Sequence, residues 1–286
     1  MDDDVLEKVR RSISGLSTAE AKVAERLLAD PAVVMDLAIN DLAALCETSI
    51  STVARFAQSL GFSGYRELRV AVARSLTLQQ AQRERFRLDT TAICEDDGPA
   101  QIAAKLAARE ISAIETTART LDVVALDRVA AAVADARRID LFGQGASSLI
   151  AQDLQGKLTR IGCMVSHSAD PHTALTAAAL RGPSDVVIGF SHTGETAETR
   201  QALEAARAAG ALTVAVTGVV ESSVAAAADV VLLTHAQESS FRGAAMSSRI
   251  AQLALVDVLF VRVVQHRGWA TVQTVRTTPV EGAQRA

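Results

Sequence analysis

Two short segments of this sequence gather hydroxyl and glycine residues in a pattern suited to gripping an oxyanion. Ser191-His192-Thr193-Gly194-Glu195-Thr196 follows one apolar run, and Phe142-Gly143-Gln144-Gly145-Ala146-Ser147-Ser148 closes another. Hydroxyls and the free amides of a helix start can together satisfy the oxygens of one phosphoryl group, and the helix dipole favours its charge. An ordinary capped helix start uses the same residue types, so one such loop alone leaves both readings open. Two of them, at strand ends that can line one crevice, favour a phosphorylated small molecule. Other ligands fit less well. The third glycine of a dinucleotide fingerprint is replaced by Ser148, and no acid closes the second strand at Met164-Val165-Ser166. Gly156-Lys157 lacks the earlier glycine of a Walker loop. No cofactor is expected. His167, His235 and His266 show no metal spacing, so no metal is expected either.

A third segment is suited to nucleic acid. Leu42-Ala43 begins a helix, Glu47-Thr48-Ser49 breaks it, and a second helix follows. On helix-turn-helix spacing Leu42, Cys46, Val53 and Phe56 fall on buried positions, and Ala43 sits at the tight crossing. Ser49 caps the second helix and leaves its amides near a phosphate. Ser51, Thr52, Arg55 and Gln58 are expected on the outer face, where Arg suits guanine and Gln suits adenine. A short helical hairpin with no DNA role has the same pattern. Glu47 stands where such turns usually hold a left-handed glycine, at a modest cost.

These segments need elements to position them, and the chain has room for two domains. It has 286 residues, of which 49% are apolar and 3% aromatic. So few aromatics argue against a surface that stacks bases. The net charge of −4 excludes a uniformly basic coat. The seven arginines from Arg55 to Arg87, set against Glu67 and Glu84, still permit a local phosphate-binding surface. A solvated helix face is the plainer account of them. Cys46, Cys94 and Cys163 are widely spaced and odd in number, which fits a reducing compartment. The start, Met1-Asp2-Asp3-Asp4, lacks a signal peptide's positive charge, and the run from Ile250 to Val264 contains Asp257 and Arg262. A cytoplasmic protein with no membrane span is expected.

The first 75 residues read as short helices. Ser17-Thr18-Ala19-Glu20 forms a capping box, and further helices cover about 31–37, 39–46, 51–60 and 65–75. Residues 78–98 read as a helical linker ending in an acidic turn. Two alanine-rich helices, about 100–120 and 124–136, then lead into apolar strands separated by helix-length stretches. The strands are expected at 139–142, 163–165, 186–190, 212–216 and 230–233, the signature of a five-stranded parallel sheet covered on both faces. A last helix, about 241–266, is apolar on more than one side and suits either a core or a dimer seam. The expected fold is an all-α helix-turn-helix domain at 1–77, then the linker, then an α/β domain at 99–286.

Particular runs carry a family resemblance. Thr52–Phe56, Leu60–Phe62 and Gly64–Leu68, within a match from about Leu16 to Ser75, resemble the N-terminal domain of RpiR-type transcriptional regulators. The resemblance implies that 51–60 enters the major groove and that Ser63, Tyr65 and Arg66 contact phosphates, with packing as the alternative for Tyr65. Gly145-Ala146-Ser147 and Ser191-x-Thr193-Gly194-x-Thr196 resemble the sugar isomerase (SIS) domain over about 99–264. There the resemblance implies that Ser147, Ser191, Thr193 and Thr196 hold a phosphate, with Gly145, Ser148, His192 and Gly194 beside them. Asp170-Pro171-His172 and the run 245–261 also resemble RpiR-type regulators. His172 suits the sugar or simply a helix start. Glu238 and Arg242 suit sugar hydroxyls or surface salt bridges.

An aldose–ketose isomerase needs a carboxylate or imidazole that moves a proton between carbons, and Glu238 and His172 are the obvious candidates. A helix-turn-helix has no purpose in a simple isomerase. The sequence therefore favours a regulator of sugar or amino-sugar metabolism, not an enzyme. Its expected partners are a double-stranded DNA operator and a phosphorylated sugar effector, and it is expected to be a homodimer or homotetramer.

Overall fold

The computed structural model describes residues 5–86, 88, 90, 92–236 and 245–270. The chain divides into two compact units, 1–108 and 109–286. The division falls inside one helix, so the expected 78–98 linker lies wholly within the first unit.

The first unit is helical: α1 (Val5–Ser12), a 3₁₀ turn, α2 (Thr18–Ala29), α3 (Ala32–Asp36), α4 (Ile39–Leu45), α5 (Ile50–Ser59), α6 (Tyr65–Phe86) and the start of α7 (Pro99–Thr120). The expected helix ending at Ser75 continues for three more turns. Nothing between Ser75 and Phe86 is glycine or proline, so no residue breaks it. Glu20 accepts from the Ser17 amide (3.1 Å) and the Ser17 hydroxyl (2.5 Å), the reach-back half of the expected box. Val9, Val23, Leu27, Leu42, Val53, Phe56, Leu60 and Leu68 form the core. Burying such side chains is what fixes short helices that are marginal alone.

The second unit continues with α8 (Val123–Asp135), β1 (Arg138–Gly143), α9 (Ala146–Arg160), β2 (Val165–Ser168), α10 (Pro171–Ala179), β3 (Asp185–Ser191), α11 (Ala197–Ala208), β4 (Leu212–Thr217), α12 (Ser223–Ala226), β5 (Val230–Leu233) and α13 (Met246–Arg267). The strands form one parallel sheet in the order β2-β1-β3-β4-β5. Alternate residues feed opposite faces, as the pleat requires. Val186, Ile188 and Phe190 pack with residues of α8, α9 and α13, while Val187 packs with residues of α10 and α11.

Four expected strands fall where predicted, to within a residue at each end. The second begins two residues late. After α9 the Cys163 amide bonds back to the Leu158 carbonyl (3.1 Å) across Gly162 at φ +79°, so the chain becomes extended only at Val165. The last helix starts at Met246; its expected first residues, 241–244, lie outside the described residues.

Candidate functional site

In the first unit, α4 and α5 form the hairpin. Leu42, Cys46, Val53 and Phe56 are buried, and Ala43 is buried with them. Glu47 takes the left-handed turn at φ +50°, and its carboxylate reaches Lys22 (3.3 Å). Ser49 caps α5 by accepting from the Thr52 amide (3.2 Å). Its hydroxyl also lies 2.8 Å from those of Ser51 and Thr52.

Ser51, Arg55 and Gln58 are exposed, as the spacing predicts. Thr52 is not on the outer face: it is 4% exposed. At the third helical position its side chain is buried, with its hydroxyl beside that of the cap residue Ser49. Tyr65 is also buried, and its hydroxyl donates to the Val34 (3.2 Å) and Leu37 (2.9 Å) carbonyls. Burial pushes its phenol pKa up. This is the packing alternative, since the hydroxyl is already committed within the fold. The Ser63 amide and hydroxyl donate to Glu67 (2.6 and 2.7 Å), which holds that carboxyl below its usual range and fastens the start of α6. Arg66 is exposed.

In the second unit, the order 2-1-3 makes the gap between β1 and β3 the point where the chain reverses its direction across the sheet. Connections from these two strands leave to opposite sides, which opens a crevice at their carboxyl ends. Gly143 pairs with Phe190 in the ladder, so the segments after β1 and β3 leave the sheet side by side. Both hydroxyl loops expected from the sequence thus follow the carboxyl ends of adjacent strands.

Each loop is held differently. After β3, the Ser191 hydroxyl accepts from the Gly194 amide (3.1 Å) and lies 2.9 Å from the Thr196 hydroxyl. Thr193 is exposed, and its hydroxyl accepts from the Glu195 amide at a long 3.4 Å. The loop is braced from behind. The Gly194 carbonyl accepts from the Val224 amide (2.8 Å) and the Ser223 hydroxyl (3.0 Å), and the His192 carbonyl accepts from the Gly218 amide (2.9 Å). Gly194 sits at φ +72°, and a Cβ there would fall 2.2 Å from the Ser222 hydroxyl oxygen. Only glycine meets both demands.

After β1, Gly145 at φ +55° turns the chain into α9. A Cβ on Gly143 would meet the Ser147 carbonyl oxygen at 2.7 Å, so the first turn of α9 lies directly on the strand end. Ser147 is half-buried and Ser148 buried. The Ser148 hydroxyl is 2.9 Å from Nε2 of His167 on β2. Sequence reasoning gave His167 no role beyond the lack of metal spacing. Thr217, Ser222 and Ser223, which support the β3 loop, were also unmarked. Their signal lies in strand adjacency, which no linear motif carries. Glu238 and Arg242 lie outside the described residues, and His172 is exposed at the start of α10. No group of acidic, histidine and cysteine residues suited to a metal occurs among the described residues. No described helix is long and apolar enough to cross a membrane.

Relatives that match along most of this chain are named as transcriptional regulators. Residues 3–79 match the model of the helix-turn-helix domain, rpiR family, and residues 132–262 match the SIS domain. The chain is 38% identical over 264 residues to an HTH-type transcriptional regulator of Caldanaerobacter subterraneus, covering 92% of each chain. It is 34% identical to the HTH-type transcriptional regulator HexR of Pseudomonas aeruginosa, covering 93% of this chain and 90% of HexR. Among solved structures it resembles the Vibrio vulnificus NanR protein complexed with ManNAc-6P, with a TM-score of 0.58 and 26% identity. That likeness covers 95% of this chain and 96% of NanR. Both of these sequence relatives, like the matched helix-turn-helix model, are named for transcriptional regulation.

Proposed function

Because this chain belongs to the RpiR family of transcriptional regulators, with an N-terminal helix-turn-helix and a C-terminal SIS domain, we infer that it binds an operator through α5 and is controlled by a phosphorylated sugar at the β1/β3 crevice. One observation carries the reading: two hydroxyl loops leave adjacent strands of a parallel sheet at the point where its order reverses. Ser147, Ser191, Thr193 and Thr196, with the amides of both loops, are the phosphate ligands. Gly145 and Gly194 let the backbone approach, and Ser148 and His192 flank the anion. ManNAc-6P on a structural relative supports an amino-sugar phosphate as the effector class.

On the DNA side, Arg55 and Gln58 read base edges, while Ser49, Ser51 and Arg66 lie toward the backbone. A homodimer presents two copies of α5 to the half-sites of a near-palindromic operator. The effector shifts operator affinity only through its different affinity for the DNA-bound and free arrangements. A coupling of about 1–3 kcal/mol changes that affinity several-fold to about a hundredfold.

The test begins by selecting an operator from random duplex DNA with the full-length protein. A panel of hexose, pentose and amino-sugar phosphates is then screened by melting temperature and by its effect on that operator. Arg55→Ala should weaken specific binding by about 1–3 kcal/mol. The double change Ser191→Ala, Thr193→Ala should erase the effector's influence while the protein still binds operator. Turnover of any of these sugar phosphates, or an effector response that survives the double change, would overturn the reading.

A further inference from the structure

We propose that His167 is a positioning residue of the phosphate crevice, acting through Ser148 and deciding whether that hydroxyl can donate to the anion. The proposal rests on the reading of the crevice given above. Nδ1 of His167 lies 3.0 Å from the Leu141 carbonyl oxygen, and Nε2 lies 2.9 Å from the Ser148 hydroxyl. A carbonyl only accepts, so Nδ1 carries a hydrogen in every protonation state of the ring. Nε2 is the position that changes.

With Nε2 bare, the ring accepts the Ser148 proton. Ser148 then offers the crevice lone pairs alone, and a phosphoryl oxygen, itself an acceptor, finds no donor there. When Nε2 takes a proton from water, the hydrogen bond reverses. Nε2–H donates to the Ser148 oxygen, and the hydroxyl hydrogen is released to a phosphoryl oxygen. The imidazolium also places a positive charge one residue behind the anion. Anion binding and protonation of His167 therefore favour each other, as linkage requires.

The surrounding charges leave this exchange to the pair. On β1, Asp140 projects to the other face of the sheet and is committed to Ser166 and Arg181. On α9 the charged side chains are Asp153, Lys157 and Arg160, with Lys157 tied to Asp153 and, across to α13, Asp257. At the start of α10, Asp170 accepts from the Thr173 amide, and His172 is exposed. His192 in the β3 loop is a second imidazole near the crevice, so the readout is a difference between variants.

Inorganic sulfate is the probe, because it stays a tetrahedral dianion while histidine changes charge between about pH 5 and 8. Its affinity for the full-length protein is measured from the rise in melting temperature against matched chloride. Wild type should gain affinity as pH falls, by up to about tenfold for each pH unit, the limit for one linked proton. His167→Gln and Ser148→Ala should each remove that component. Nitrogen-15 spectra of labelled histidine, assigned through the His167→Gln variant, should show hydrogen on Nδ1 of the neutral ring. Equal pH dependence in wild type and His167→Gln, or a neutral ring with hydrogen on Nε2, overturns the role of His167. In that case the Ser191→Ala, Thr193→Ala protein still loses sulfate, and the phosphate site stands. Sulfate binding absent from wild type, or unaffected by that double change, overturns the site and the proposal together.

Discussion

Two sharp turns in the left-handed region, one taken from each unit, are filled differently. In the helix-turn-helix the residue is Glu47, at φ +50°; in the β3 loop it is Gly194, at φ +72°. Glu47 is exposed, and its side chain extends to Lys22. The position charges only the conformational cost of a side chain there, about 1–2 kcal/mol. Gly194 is buried against Ser222, so it faces that cost and a steric collision as well. A missing glycine in a motif is thus a weak objection where the turn faces water. It becomes a strong one where the loop is braced against a second element.

Three substitutions separate these effects. Gly194→Ala combines both and should cost about 2–4 kcal/mol, read from urea unfolding of the second unit. A loss under about 1 kcal/mol would mean that Ser222 yields and the bracing is soft. Gly143→Ala adds the collision without the positive φ. Its Cβ meets the Ser147 carbonyl at 2.7 Å, so a loss of about 1–3 kcal/mol and weakened anion binding at the β1 loop are expected. Glu47→Gly removes the conformational cost with no collision in play. It should stabilise the first unit by up to about 1 kcal/mol, since glycine's looser unfolded state offsets part of the relief. Destabilisation on that change would show that the contact with Lys22 outweighs the backbone, contrary to the small worth of exposed pairs.

A smaller effect concerns the acid side of stability in the second unit. Arg262 and His266 on α13 donate to Asp127 on α8 at 2.6 and 2.9 Å. They lower its pKa from 3.8 to about 2. A carboxyl depressed on folding stabilises above its unfolded pKa and loses that contribution as pH falls through the folded one. The melting temperature of the second unit should therefore decline more steeply for wild type than for Asp127→Asn as pH falls from about 4 to 2. Parallel curves would remove Asp127 from the account.

Much of this protein was legible in one dimension. The apolar runs separated by helix-length stretches gave the five strands, because a strand buried on both faces must be continuously apolar. The hydroxyl loops and the α4–α5 hairpin were legible because turn and cap chemistry is local: Ser49 caps the helix that begins one residue later. Thr52 and Tyr65 were misplaced or left open for the opposite reason. Whether a hydroxyl faces water or the interior depends on helices contributed from elsewhere, as with the Val34 and Leu37 carbonyls that accept from Tyr65. The order β2-β1-β3 was likewise undetermined by the strands themselves, yet it brings the two loops together and sets His167 behind Ser148. Periodicity and capping act over a few residues and are written in the chain. Adjacency between strands far apart in sequence exists only once the sheet has formed.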